Sequence, residues 1–68
     1  MNLSIEIRVV QQINKLLDEY KNGSLTSREK SDIARTMRNL VNTLPNDSLF
    51  KQGLNTDIEN AINTYQNS

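Results

Sequence analysis

Residues 3–9, Leu3-Ser4-Ile5-Glu6-Ile7-Arg8-Val9, can be read in two ways, and the choice decides the fold. In steps of two, apolar Leu3, Ile5, Ile7 and Val9 alternate with polar Ser4, Glu6 and Arg8, and the β-branched content suits a strand. In helical steps the same residues make a wide apolar stripe that continues through Val10, Ile13 and Leu17. A lone strand has no partner within this chain, so the strand reading needs a second copy to pair with. The helix reading needs nothing beyond the chain itself, and we read helix from about Ser4 onward.

Moving outward, Val9, Ile13, Leu16, Leu17 and Tyr20 keep helical spacing, so the first helix is expected over about residues 3–21. Lys21-Asn22-Gly23 is its stop, with Gly23 free to take positive φ. Thr26 and Glu29 form a capping box in which hydroxyl and carboxylate each satisfy the other residue's backbone N–H. Behind it Ile33, Met37, Leu40, Val41 and Leu44 follow one helical face, and Pro45 ends the helix by forcing its predecessor out of helical geometry. In the last segment Asn46, Asp47 and Ser48 are all good caps, and Phe50, Leu54, Ile58, Ile62 and Tyr65 share a face, with Ala61 beside them. Gly53 is expected to interrupt this helix. Thr56 and Glu59 read as a second capping box, giving a short turn at 47–52 and a longer helix at 56–66.

Lys21-x-Gly23-x-x-Thr26-x-x-Glu29 recurs thirty residues on as Lys51-x-Gly53-x-x-Thr56-x-x-Glu59. The likeness does not extend into the flanking apolar residues, so it reads as capping chemistry used twice, not as a duplicated hairpin. The expected fold is all-α: one small domain over 1–68, with three helices, the third broken near Gly53. Its expected core is Ile13, Leu17, Ile33, Met37, Leu40, Leu44, Phe50, Leu54, Ile58 and Ile62.

Composition then limits what such a domain can do. The chain has 68 residues, eight basic and eight acidic, with no His, Cys or Trp, and is 35% hydrophobic. Without Cys or His there is no disulfide framework, zinc finger, thiol nucleophile or imidazole base. Asp18 and Glu19 are neighbours on a helix and diverge by about 100°, so they are no acid–base pair. Asp57 and Glu59 fit a helical first turn, where acids favour the dipole. The Ser and Thr residues lack an activating base. The expectation is a non-enzyme with no cofactor and no metal. No apolar run reaches the ~18 residues of a membrane span, so a cytoplasmic chain with no membrane contact is expected. A core this small supplies only about 3–5 kcal/mol, and with disulfides and metals absent a homo-oligomer, or docking onto a larger protein, is expected.

Charge is unevenly spread. Residues 1–22 balance, residues 23–44 carry four basic and two acidic groups, and residues 45–68 carry one basic and three acidic groups. At about 100° per residue, Arg28, Ser31, Arg35, Arg38 and Asn42 share a narrow sector of the second helix, opposite the Ile33/Met37/Leu40/Leu44 face. Guanidinium forks in a row suit an acidic protein surface or phosphates. The plainer alternative is a solvated face partly paired with the acidic third segment. Arg28, Arg35, Arg38 and Asn42 are the candidate partner-binding residues, with the spare apolar residues of the N-terminal stripe as a candidate addition. A protein is the expected partner, with nucleic acid or a nucleotide as alternatives. Tyr20, Phe50 and Tyr65 all lie on apolar stripes and read as core, not as a base-stacking platform.

Two resemblances carry the alternatives. With residues 3–9 as a strand, the order strand, helix, Gly-containing turn, helix over residues 3–44 resembles the ribbon–helix–helix DNA-binding dimers. That would place Ser4, Glu6 and Arg8 in the major groove, where Glu6 meets phosphates unfavourably, and leaves the third segment outside the pattern. Ser27-Arg28-Glu29-Lys30-Ser31 opening a helix resembles the phage helical-hairpin proteins that sequester signalling nucleotides. This likeness spans five residues and implies a phosphate-bearing ligand at the arginine row. The abundance of Asn and Ile suits an AT-rich genome such as that of a phage or mobile element. The expected function is an interaction module, a small adaptor or inhibitor that binds a macromolecule through a basic helix face.

Overall fold

In the computed structural model, which describes residues 3–66, the ambiguous N-terminal stretch is helical. Helix α1 spans Leu3–Tyr20, α2 Ser27–Asn42 and α3 Lys51–Tyr65, and no strand occurs among the described residues. Each helix packs on the other two around a single core, giving an up-down-up bundle of 36 × 17 × 14 Å. The helix wins because Val9, Ile13, Leu17 and Tyr20 fall on one face and are all buried. The alternation that mimics a strand comes from residues the core does not use: Leu3, Ile5 and Ile7 remain 59%, 45% and 40% exposed.

Helix α1 stops without a left-handed glycine, since neither glycine has positive φ. Instead the side-chain Oδ1 of Asn22 accepts from Ser24 N–H at 3.0 Å and Ser24 Oγ at 2.8 Å, an Asx turn that reverses the chain. The Thr26–Glu29 capping box forms as expected: Glu29 N–H donates to Thr26 Oγ1 at 3.1 Å and Thr26 N–H to Glu29 Oε1 at 2.9 Å. These bonds, the one from the Thr26 backbone foremost, hold the Glu29 carboxyl below its ordinary pKa.

Two expectations about the core are corrected. α2 buries Lys30, Ala34, Met37 and Val41, a face turned by roughly 60° from the one expected. The cause is position: α2 touches both neighbours, so its buried centre lies between them. Ile33 and Leu40 become half-buried edge residues, and small Ala34 faces inward. Second, α3 runs without a break through Gly53. Thr56 is no cap, because its Oγ1 donates to the Gln52 carbonyl inside the helix at 3.1 Å. Burying Leu54, Ile58, Ala61 and Ile62 on one continuous helix outweighs the ~1 kcal/mol cost of a helical glycine. The two Lys-x-Gly-x-x-Thr-x-x-Glu stretches therefore adopt different structures, loop and cap in one, helix in the other.

Two lysines tie the ends of the bundle. Lys30, only 3% exposed, runs its stem along the core and donates from Nζ to the Tyr65 carbonyl at 2.7 Å, at the C-terminus of α3. At the other end Lys51 Nζ donates to the Leu44 carbonyl at 3.0 Å and to Asn46 Oδ1 at 3.1 Å, just beyond the C-terminus of α2. Each puts a cation on carbonyls at the negative end of a helix dipole.

Candidate functional site

The rotation of α2 changes the setting of the arginine row. It lies on the flank facing α3, about 110° from the buried centre and not opposite it. Arg38, nearest to α3, closes a two-pronged contact with Glu59: Nε to Oε2 at 3.0 Å and Nη2 to Oε1 at 2.9 Å. The hydrogen bonds from Arg38 keep the Glu59 carboxyl below its ordinary pKa, and Glu59 in turn raises that of Arg38. Both side chains are 52% exposed, so water and salt screen the pair. Part of the charge segregation along the chain is thus used within the fold. Arg35 is freer, 73% exposed and 3.9 Å from Asp32 on its own helix. Arg28 makes no hydrogen bond or ion pair among the described residues, and Asn42 is exposed near the far end of α2.

Beside this flank an open groove runs between α2 and α3, at the end where α1 stops. Arg35 and Arg38 line it with Ser27, Ser31 and Asn39, and Lys30 reaches its floor. Among the described residues no carboxylate lines this groove. Its counterpart between α1 and α3 carries Asp18 and Asp57 against a single Lys21. The structure therefore brings Arg35 and Arg38 together on one groove and leaves Arg28 and Asn42 outside it. Ser27, Ser31 and Asn39 complete the wall; their spacing to Arg35 and Arg38 on α2 is the signal in the sequence.

A second feature lies at the opposite end of the bundle. Leu3 at the start of α1 and Leu49 in the α2–α3 loop border one shallow depression with Pro45 and Phe50. Leu49 is 93% exposed, and Ile5 and Ile7 lie on the adjoining turns of α1. The large exposed apolar residues of the described chain all lie at this end. Leu3 and Leu49 border this depression with Glu6 and Asp47 at its rim, and Ile7, one turn on from Leu3, shares its side of α1, while Ile5 lies on the other side of the helix; exposed apolar side chains of this kind suit a protein contact. Periodicity flagged the α1 part of this patch. Leu49 was missed because an isolated loop leucine has no periodicity to betray it.

No group of three or more metal-ligating side chains occurs among the described residues, and none of their helices is long and apolar enough to cross a membrane. Comparison of the chain with protein-family models, with curated proteins and with solved structures gives no match.

Proposed function

We propose that the chain is a non-enzymatic interaction module, a small adaptor or inhibitor, that self-associates through its apolar end. The observation that carries this reading is the pair of exposed residues Leu3 and Leu49 bordering one depression at this end of the bundle, with exposed Ile7 one turn along the same side of α1. A second copy suits that end for two reasons. Eight basic and eight acidic groups leave no net charge to repel a copy. A core of this size also gains most from a partner when it has neither disulfide nor metal. A standard interface takes about 800 Å² from each partner, roughly a sixth of the 4703 Å² surface of this chain, so the contact extends beyond these three residues along α1.

The basic groove is then left to the macromolecule that the module serves. Arg35 and Arg38, with Ser27, Ser31, Asn39 and Gln66 as uncharged hydrogen-bonding neighbours and no acid among the described residues of the lining, favour an acidic protein surface. Titration at low salt with polyglutamate, a short DNA duplex and a cyclic dinucleotide separates the candidate ligands. The reading predicts binding of polyglutamate that Arg35→Glu abolishes without changing the circular dichroism. Tight duplex binding with steep salt dependence would favour a nucleic-acid partner instead. Selective thermal stabilisation by the dinucleotide would favour a nucleotide-sequestering protein.

A further inference from the structure

We infer that Asn22 is a site of spontaneous covalent modification, converting through a cyclic imide to aspartate and isoaspartate in the folded protein. Of ten asparagines only Asn22 precedes a glycine. The asparagines inside α1, α2 and α3 are each followed by an amide in or at the end of a helical hydrogen-bond ladder, which cannot turn back on the side chain. Asn46, in the other loop, is followed by Asp47, whose side chain crowds the approach. Gly23 has no side chain, is exposed, and its N–H makes no hydrogen bond among the described residues.

The Asx turn supplies what the reaction needs next. As the Gly23 nitrogen gives up its proton and bonds to Cγ of Asn22, negative charge develops on Oδ1. That oxygen already accepts from Ser24 N–H at 3.0 Å and Ser24 Oγ at 2.8 Å, two donors placed as in an oxyanion hole. Collapse breaks the Cγ–Nδ2 bond, and Nδ2 leaves with a proton as ammonia. Solvent water then opens the ring at either carbonyl, giving aspartate or, with the main chain rerouted through the side chain, isoaspartate. No electron transfer is involved. The product carries one added negative charge at the end of α1, where the dipole is already negative.

The test is incubation of the intact protein at pH 8, followed by tryptic mapping of the 22–28 peptide. The expected result is a one-dalton gain at Asn22, faster at higher pH. It should be suppressed in Gly23→Ala and slowed several-fold in Ser24→Ala. Gly23→Ala is a sound control, because a Cβ there meets nothing within 4 Å and φ is not positive. Conversion in the urea-unfolded chain but not in the native one would overturn the inference. So would a native rate that Ser24→Ala leaves unchanged while circular dichroism shows the variant folded.

Discussion

At the scale of single residues, Lys30 is the side chain whose replacement says most. Lys30→Met keeps a flexible apolar stem between α2 and α3 but removes the donor to the Tyr65 carbonyl. Taking one partner from a buried bond costs about 1–3 kcal/mol, read as a lower urea midpoint. Lys51→Met, at a less buried site, should cost less. Glu29 and Glu59 set the response to acid. Both carboxyls lie below their ordinary value of 4.5 in the fold, so their contribution is complete above that value and is lost as pH falls through the depressed one. The urea midpoint should stay flat from neutral pH to about 5 and decline below 4.5, and Glu59→Gln should flatten the decline.

At the scale of elements, α3 is the helix whose sequence is least suited to it. Gly53 sits in its first turn with open space around its α-carbon. Gly53→Ala should therefore stabilise the protein by about 0.5–1 kcal/mol in a thermal or urea melt, with the three helices intact. The Arg38–Glu59 bridge between α2 and α3 should show a coupling of no more than about 1 kcal/mol in a double-mutant cycle, shrinking with salt. These two helices also show what a sequence conveys. The Thr26–Glu29 box was readable because a cap is local, depending on residues three apart. The break at Gly53 and the cap at Thr56 were misread because local propensity favoured them, while the burial of Leu54 and Ile58 that overrode it is tertiary. The face of α2 was misjudged by about 60° for the same reason: periodicity finds an apolar stripe, and the neighbours decide which part is central.

At the scale of the whole molecule, stability and association are linked. Ile13, Met37 and Ile58 are completely buried, one from each helix. Ile58→Ala should cost about 2–5 kcal/mol. A domain this size has only about 3–5 kcal/mol in total, so circular dichroism should show it largely unfolded. Leu40→Ala, at the half-buried edge, should be milder. The three-helix core was mostly legible, since seven of its ten expected members are buried and the other three pack at its margin. The basic groove was legible only in part, because pairing of Arg38 with Glu59 depends on how α3 lies against α2. The most direct measurement of the proposed function is sedimentation equilibrium of wild type and Leu49→Glu across a range of concentrations. Wild type is expected to be an oligomer and the variant an equally helical monomer. A wild-type protein that stays monomeric and stable at every concentration would contradict the proposed function.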